Sequence, residues 1–263
     1  MADLSEIYLS YCIDERICYL MTNVEKFETG KDRVRARLLK FTRKAFQLLP
    51  RRDSPFILDV GCGSGVSTME LAKLCDGRIV ALDIDEHAVD RLDAKIKKAG
   101  LSHRIKTLKR SMMDMDFPEQ SFDIIWSEGS IYVVGFENGL REWARFLKPK
   151  GFLIVHDETG NLDEKLRKIS SCGYDLIDYF ILDQVVWWNE YCVPLQKLIN
   201  EMRPRCAGDS KTLVLIDQNQ REIDMFKVTP EQYHSTCFIM RKRRQGVLTR
   251  RNGGHHTQQT PEQ

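Results

Sequence analysis

The sequence lacks the features that assign a chain to several specialised classes of protein. No apolar run approaches the ~18 residues that a membrane-spanning helix needs. The first residues, Met-Ala-Asp-Leu-Ser-Glu, are acidic and lack the basic-then-apolar pattern of a signal peptide. Only 8 prolines and 16 glycines occur in 263 residues, which excludes collagen-like and proline-rich disordered chains. These absences predict a soluble, cytoplasmic, globular protein.

The cysteines lack the spacing of a zinc site. All 8 are scattered, with no Cys-x-x-Cys pair and no matching histidines, so no metal site is expected. In a chain without a secretory signal we expect reduced thiols, most of them buried as small apolar groups. The formal net charge of +2 indicates neither an acidic nor a basic partner by itself.

The composition changes along the chain predict three regions. Residues 1–52 are predicted to form an N-terminal helical lid and residues 53–242 a single α/β domain. Residues 243–263 are rich in Gln, Arg, Gly and His and have few apolar residues, which predicts a disordered tail.

The lid region contains a helix with a basic face. From Val34 to Leu49, apolar residues recur at three- and four-residue steps, and Pro50 ends the pattern. The basic face from Lys31 to Arg52 and the run from Arg241 to Arg244 are typical of solvated surfaces. With no RNA-binding module and a net charge near zero, they favour nucleic acid only weakly as a partner.

Short apolar runs alternate with helical patterns from Phe56 onward. This alternation predicts βαβ units and a mostly parallel sheet. The stretch 187–230 before the last run is longer than a simple crossover and is predicted to be a helical insertion. The predicted strands are Phe56–Val60, Ile79–Asp83, Ile105–Leu108, Phe122–Trp126, Phe152–His156, Leu176–Leu182 and Ser235–Met240.

Residues 57–65, Ile-Leu-Asp-Val-Gly-Cys-Gly-Ser-Gly, are a strand that runs into a glycine-rich turn. Glycines let the backbone turn sharply and let a ligand lie against bare main chain. A dinucleotide fingerprint would need its third glycine at Val66, so a pyrophosphate site is not expected. The next strand ends at Asp83, where a carboxylate can accept hydrogen bonds from both ribose hydroxyls, and Ile84 can cover one face of an adenine. The combination predicts a nucleoside ligand without phosphates.

This pattern, Asp59-x-Gly61-x-Gly63-x-Gly65 followed by Asp83, resembles that of the class I S-adenosylmethionine-dependent methyltransferases. The resemblance implies a Rossmann-like, seven-stranded, mostly parallel sheet with helices on both faces, an N-terminal helical lid and a helical insertion before the last strand. It also implies S-adenosylmethionine as the cofactor.

The resemblance extends downstream. Residues 110–126 are similar to the third and fourth strands of the small-molecule branch, which contains the ubiquinone and menaquinone biosynthesis methyltransferases. Residues 147–155 are similar to the Leu-Lys-Pro-Gly-Gly turn before the fifth strand, with Lys150 in place of the usual first glycine. The turn lies away from the cofactor, so this departure is not expected to affect binding.

The resemblance implies roles around the methionine part of the cofactor. Gly61, Gly63 and Gly65 would bring the backbone close to it, and Asp59 would orient its ammonium group, directly or through water. Ser127, which ends the fourth strand, lies where the family contacts the methionine moiety and where the transferred methyl group points. A cap on the following turn is the alternative role for Asp59.

The resemblance likewise implies roles around the adenosine. Asp83 would bind the ribose, and Ile84 and Met112 would hold the adenine between them. Ser111 or Met113 would lie near the adenine amino group. Met112 has the alternative of packing in the core, as a lone methionine usually does.

Methyl transfer from a sulfonium is an in-line displacement, so the protein mainly contributes proximity, alignment and exclusion of water. A general base is needed only when the acceptor carries a proton at neutral pH. The candidates at the carboxyl edge of the sheet are His156, Glu128 and Tyr132, with Asp157 and Glu158 beside them. Each has a structural alternative, as a strand-end or loop residue bonded to the backbone.

Other features bear on the acceptor. Residues 127–132 are not the Asn/Asp-Pro-Pro-Tyr/Phe motif of nucleobase-nitrogen methylation. Trp187 and Trp188 cannot both face one side of a helix, so at least one is expected to reach a pocket or interface, unless both pack the insertion onto the sheet. Tyr8, Tyr11, Tyr19 and Phe27 could add to the lid.

We therefore predict methylation of a small-molecule acceptor, in a protein without a membrane span. Methylation of a protein or RNA and a non-catalytic cofactor-binding module are the alternatives, and an NAD dehydrogenase is a distant one. A homodimer is compatible with the sequence.

Overall fold

The strands of the chain pair into one seven-stranded sheet within residues 21–243, the part described by the computed structural model. The proposed tail from residue 244 onward and Tyr8, Tyr11 and Tyr19 lie outside the described residues. The strands are β1 Phe56–Val60, β2 Arg78–Asp83, β3 Ile105–Lys109, β4 Phe122–Glu128, β5 Leu147–Glu158, β6 Tyr174–Leu182 and β7 Ser235–Lys242.

Their order across the sheet is β3-β2-β1-β4-β5-β7-β6. The five strands β1 to β5 are parallel, and β7 runs antiparallel to both β5 and β6. This arrangement confirms the predicted mostly parallel sheet. Because parallel strands all point one way, the carboxyl ends of β1, β2, β4 and β5 meet at one edge.

Helices cover both faces of the sheet and one end of it. They are α1 Asn23–Ala36, α2 Leu39–Gln47, α3 Val66–Leu74, α4 Glu86–Lys98, α5 Phe136–Ala144, α6 Leu162–Ser171, α7 Gln184–Trp187, α8 Val193–Met202 and α9 Ser210–Val228. A π-helical segment, Trp188–Cys192, joins α7 to α8. None of the described helices is long and apolar enough to cross a membrane.

Consecutive residues of β1 enter different cores. Ile57 packs in the cluster on one face of the sheet, with Trp126 and Ile154, whereas Leu58 packs in the cluster on the other face, with Leu153. Strand side chains alternate between faces, so a strand that is covered on both faces consists of a continuous run of apolar residues. That is why the strand runs were recognisable without alternation.

The insertion before β7 consists of α7, α8 and α9 and has its own core. Ile199 and Ile223 of the insertion pack with Phe27 and Val34 of α1 in a third buried cluster. The predicted insertion, 187–230, falls within this helical stretch. The N-terminal helix and the insertion therefore pack together at the end of the sheet.

The single helix expected from Val34 to Leu49 is instead two helices, which corrects that prediction. Around Arg37 and Leu38 the backbone N–H groups bond to the carbonyl three residues earlier, so the helix tightens and changes direction. The break has a packing reason: Val34 of α1 belongs to the insertion core, whereas Ala45 of α2 packs against the sheet.

Candidate functional site

The glycine-rich turn after β1 borders open space at Gly63. This residue has a φ of 52°, and a Cβ built on it meets no atom within 4 Å. At Gly61 a Cβ would collide with Ser130, and at Gly65 it would collide with Leu92. Packing therefore requires glycine at these two positions, and Gly63 leaves bare backbone for a ligand to approach.

Asp83 lies beside this turn, at the carboxyl end of β2. Its Oδ2 accepts a hydrogen bond from the backbone N–H of Gly63 at 2.7 Å, and its Oδ1 accepts one from that of Asp85 at 2.9 Å. Each carboxylate oxygen has a further lone pair for a hydroxyl donor. The residue predicted to bind a ribose is thus held by the turn itself.

The side chains predicted to surround an adenine follow β2 and β3 at the same edge. Ile84 and Met113 are 77% and 76% exposed, which is unusual for large apolar residues beside a folded loop. Met112 is half-buried against the core, and its Cε lies 3.4 Å from a Cβ built on Gly61. The Ser111 hydroxyl accepts a hydrogen bond from the Met113 N–H at 3.2 Å. The two exposed side chains offer an apolar surface on which a flat base can stack.

Asp59 is buried at the end of β1 and borders a cavity next to the turn. Its Oδ2 accepts a hydrogen bond from the Thr68 hydroxyl at 2.6 Å. Burial raises the pKa of Asp59 to about 7, although the Thr68 bond acts in the opposite direction, and the charges of Glu128 and Asp83 raise it further. A cation placed beside Asp59 would favour its ionised form.

Ser127 stands apart from the other predicted cofactor residues. It is fully buried, and its hydroxyl lies 2.7 Å from that of Ser130, which donates to the carbonyl of Val60 at 2.7 Å. The side chain therefore joins β4 to β1 and is absent from the lining of the cavity. The sequence did not reveal this, because the bond that holds Ser130 runs to Val60, 70 residues away along the chain.

The cavity has a volume of about 840 Å³ and joins the turn to the insertion. Small-molecule sites typically enclose about 300–1,000 Å³. The cavity brings together predicted residues from several strands and the insertion, namely Asp59, Gly61, Gly63, Glu128, Tyr132, His156, Asp157, Glu158 and Trp187. Residues of α1, α2 and the insertion also line it.

Glu128 connects the wall of this cavity to the sheet. Its carboxylate accepts hydrogen bonds from Thr42 of α2 at 2.9 Å, Ser67 of α3 at 2.7 Å and the indole N–H of Trp126 at 2.7 Å. Three donors from three elements hold this side chain in place. Tyr132, by contrast, borders the cavity and is 66% exposed.

His156 of β5 lies next to Glu128 in the parallel ladder. Its Nε2 is 2.7 Å from the Ser235 hydroxyl, which also accepts a hydrogen bond from the indole N–H of Trp187 at 2.9 Å. Burial lowers the pKa of His156, while the charges of Glu128 and Asp157 act in the opposite direction. The imidazole is therefore neutral at pH 7, which is the state that accepts a proton.

The remaining edge carboxylates are engaged or exposed. Asp157 is buried and forms an ion pair of 2.6 Å with Lys165. Glu158 follows it at the end of β5, and its side chain is exposed. Of the candidate bases, His156 combines a position on the cavity with an uncharged side chain.

The adjacent tryptophans face different surroundings, as two neighbours on a helix must. Trp187 lines the cavity and stacks on His156, with ring centroids 6.1 Å apart. Trp188 stacks on Phe226 inside the insertion core, with centroids 5.4 Å apart. One of the pair therefore reaches the pocket and the other packs the insertion.

The far wall of the cavity contains residues that were not predicted from the sequence. Lys31 and Arg35 of α1 line it opposite Tyr191 and Glu222 of the insertion. Their spacing of four residues along one helix face was the available signal, but it was hidden within a longer basic run.

The geometry so far defines an α/β domain in which a glycine-rich turn, Asp83 and a cavity lie at the carboxyl edge of the sheet. A comparison with protein families matches residues 57–151 to the family described as "Methyltransferase domain". This segment runs from β1 to the turn within β5 and contains the glycine-rich turn and Asp83.

Two curated relatives illustrate what the chain is similar to. Sterol 24-C-methyltransferase erg6 of Aspergillus fumigatus is 33% identical over 102 residues, which is 38% of this chain and 27% of the relative. The 27-O-demethylrifamycin SV methyltransferase of Amycolatopsis mediterranei is 26% identical over 55% of this chain and 56% of its own length. The chain thus spans about a quarter to about half of these relatives.

Solved structures share the fold over most of the chain. A SAM-dependent methyltransferase from Thiobacillus denitrificans, in complex with S-adenosyl-L-homocysteine, has a TM-score of 0.65 at 14% identity and covers 78% of this chain and 91% of its own. The [4+2]-cyclase SpnF has a TM-score of 0.64 at 18% identity and covers 78% and 81%.

Together, the matched segment, the turn and the sheet order identify the domain as a class I S-adenosylmethionine-dependent methyltransferase domain. The cofactor of this class is S-adenosylmethionine. The residues of this chain fit it, because Gly63 leaves bare backbone and two carboxylates flank the turn. The narrower relation to the quinone biosynthesis methyltransferases stays a prediction.

Proposed function

We propose that this protein transfers a methyl group from S-adenosylmethionine to a small-molecule acceptor. The observation that carries the proposal is the continuity between the cofactor turn and the cavity, since Asp59 and Gly63 line the same space as His156 and Trp187. An acceptor in that space would lie next to the methionine end of the cofactor. The cofactor supplies a methyl group already activated on a sulfonium sulfur.

The chain's own residues would bind, orient and exclude water. Asp83 would accept hydrogen bonds from the ribose hydroxyls, and Asp59 would face the ammonium group. Ile84 and Met112 would pack on the adenine, with Ser111 and Met113 beside it. Enclosure by α1, α2 and the insertion would keep water from the reacting atoms, and alignment would supply most of the rate.

His156 is the proposed proton acceptor for acceptors that carry a proton on the methylated atom. Its neutral ring and its place on the cavity support this role. Glu128 is proposed to position the lid, because its carboxylate already holds three hydrogen bonds. Tyr132 is proposed to contact the acceptor from the exposed side of the cavity, and Ser127 to contribute through its backbone.

The relatives support a small-molecule acceptor. The sterol and rifamycin methyltransferases are named for small molecules, and the cavity has the volume of a small-molecule site. A protein or RNA acceptor would need an open surface beside the methyl position. An acceptor that contains a quinone-like ring fits the aromatic wall at Trp187 and Tyr191 and is our narrower proposal.

The cofactor is tested by calorimetric titration with S-adenosylmethionine and S-adenosylhomocysteine. We expect micromolar binding of both, no binding of NAD, and at least a tenfold loss of affinity in Asp83→Ala, because the ribose hydroxyls lose their acceptor. Candidate acceptors are then screened for release of S-adenosylhomocysteine. A folded protein that binds neither sulfur nucleoside would refute the proposal.

A non-catalytic module is the second candidate, and one comparison favours keeping it. The [4+2]-cyclase SpnF has the same fold, so the fold by itself does not establish methyl transfer. Cofactor binding without turnover across a broad acceptor panel would support this candidate.

A further inference from the structure

Two cationic side chains of α1 point into the same cavity. Lys31 and Arg35 are four residues apart, so they lie on one face of the helix on successive turns. Both line the cavity on the side formed by α1 and the insertion. Arg33, between them in sequence, is exposed.

Arg35 differs from the other basic residues of this region in its bonding. Arg37 and Lys40 form ion pairs with Glu190 at 3.0 and 2.7 Å, and Arg43 forms one with Glu70 at 2.5 Å. The Arg35 side chain makes no hydrogen bond and no ion pair with any residue in the described range 21–243, although its charge lowers the pKa of Glu222. A guanidinium has five N–H donors, so this group has its full capacity left for a ligand.

Lys31 is only weakly paired. Its side chain is 15% exposed, and its Nζ lies 4.0 Å from Glu28, the outer limit of an ion pair. Glu28 contacts Arg91 more closely, at 3.3 Å. Burial lowers the pKa of Lys31, and so does the charge of Arg35. The ammonium therefore lacks a full counter-charge in its present surroundings.

The carboxylate opposite them is Glu222 of α9. Burial raises the pKa of Glu222, while the charges of Lys31 and Arg35 lower it. The three charged groups are therefore close enough to interact electrostatically. The Tyr191 hydroxyl lies 3.5 Å from Glu222 and completes the polar end of the cavity. Glu28 and Asp32 also act on Lys31, but they pair with Arg91 and Lys95, so Lys31 and Arg35 together keep an excess of positive charge over Glu222.

The rest of this wall is aromatic. Trp187, Tyr191, Phe226 and Tyr233 line the cavity between the charged end and His156. Such a wall suits an apolar body, whereas the charged end suits a single ionised group.

From this arrangement we infer that the acceptor carries an anionic group, a carboxylate or a phosphate, which Arg35 and Lys31 bind while its apolar body lies along the aromatic wall. The inference rests on the proposed function, because it takes this cavity to be the acceptor site. Planar guanidinium groups bind carboxylates and phosphates through two parallel hydrogen bonds, which makes Arg35 the principal contact.

The test measures binding of four probes with one apolar chain, namely octanoate, octyl phosphate, octylamine and 1-octanol. Each is titrated calorimetrically into protein saturated with S-adenosylhomocysteine. We expect at least one anion to bind tenfold or more tightly than 1-octanol, and octylamine to bind no better than 1-octanol. The stronger of octanoate and octyl phosphate identifies the anionic group.

Matched variants assign the effect to the cavity. Arg35→Gln is expected to weaken anion binding at least tenfold and Lys31→Gln severalfold, whereas Arg33→Gln, on the exposed face of the same helix, leaves it unchanged. Glu222→Gln is expected to strengthen anion binding, because it removes the opposing charge. None of these changes is expected to alter the affinity for S-adenosylhomocysteine.

Two results would overturn the inference. One is 1-octanol binding as tightly as both anions, and the other is an equal effect of Arg35→Gln and Arg33→Gln. In either case intact S-adenosylhomocysteine binding would leave the proposed function standing. If the parent protein does not bind S-adenosylhomocysteine, that result would instead contradict the proposed function.

Discussion

At Asp59 a carboxyl group is buried between the Thr68 hydroxyl and the cavity, so its charge depends on what occupies the cavity. In the folded chain the pKa of Asp59 is raised from 3.8 to about 7. Its contribution to stability is therefore full below pH 3.8 and is lost as the pH rises through about 7. A bound ammonium group would counter this loss, because it stabilises the ionised carboxylate.

Cofactor affinity should therefore depend on pH near neutrality. With a pKa of about 7, the ionised fraction of Asp59 rises roughly tenfold between about pH 6 and pH 8. We expect the Kd for S-adenosylhomocysteine to tighten by up to about tenfold over that interval. Calorimetry at three pH values measures the change.

Two substitutions distinguish the titration of Asp59 from other causes of a pH-dependent affinity. Asp59→Asn should bind weakly and with little pH dependence, because the titrating group is gone. Asp83→Asn should also bind weakly but should keep the pH response, because Asp59 remains. An unchanged pH response in Asp59→Asn would show that another group titrates.

At the scale of the elements, α1 and α4 both bond to the glycine-rich turn after β1. Asp32 of α1 accepts a hydrogen bond from the Ser64 hydroxyl at 2.5 Å and pairs with Lys95 of α4 at 2.7 Å. Lys95 also donates to the backbone carbonyl of Ser64 at 2.7 Å. The lid helix is thus bonded directly to the turn that is predicted to contact the cofactor.

Removing this link should affect both stability and binding. Lys95→Met is expected to lower the free energy of unfolding by about 1–3 kcal/mol, because a charged hydrogen bond to Ser64 and the pair with Asp32 are lost. It should also weaken S-adenosylhomocysteine binding severalfold, because the turn is held less firmly. Chemical denaturation and calorimetry give the two quantities.

Lys97→Met is the matched control, since Lys97 is exposed on the same helix. We expect it to change the free energy of unfolding by no more than about 0.5 kcal/mol. Equal effects of the two substitutions would mean that the contacts of Lys95 with the turn contribute nothing.

For the whole molecule, the site joins parts of the chain that are separate in sequence, so ligand binding should stabilise the entire domain. At a concentration of 100 times its Kd, a ligand specific to the native state adds about 2.7 kcal/mol. For a domain of this size we expect S-adenosylhomocysteine to raise the Tm by roughly 5–10 °C. Scanning calorimetry measures the shift.

NAD and Asp83→Ala are the controls for that measurement. NAD should not raise the Tm of the parent protein, and the same concentration of S-adenosylhomocysteine should raise the Tm of Asp83→Ala by no more than about half as much, because a tenfold weaker ligand adds only about 1.4 kcal/mol. A similar rise with NAD would contradict the assignment of a cofactor without a pyrophosphate group.

Much of the fold, together with the glycine-rich turn and Asp83, could be predicted from the sequence, because the patterns that mark these features are local. The apolar runs marked the strands, and the spacing from Gly61 to Asp83 marked the turn and the acid at the next strand end. Hydrogen bonds within a turn or a strand-helix unit join residues that are near in sequence, so a short segment carries the information.

The break between α1 and α2, the enclosure of Ser127 and the charged end of the cavity were decided only by the tertiary structure. Each depends on contacts between distant segments. Val34 and Ala45 enter different cores, the Ser130 hydroxyl that contacts Ser127 donates to the Val60 carbonyl of β1, and Arg35 faces Glu222. Side-chain direction at such positions follows from the packing of whole elements, which periodicity within one segment does not specify.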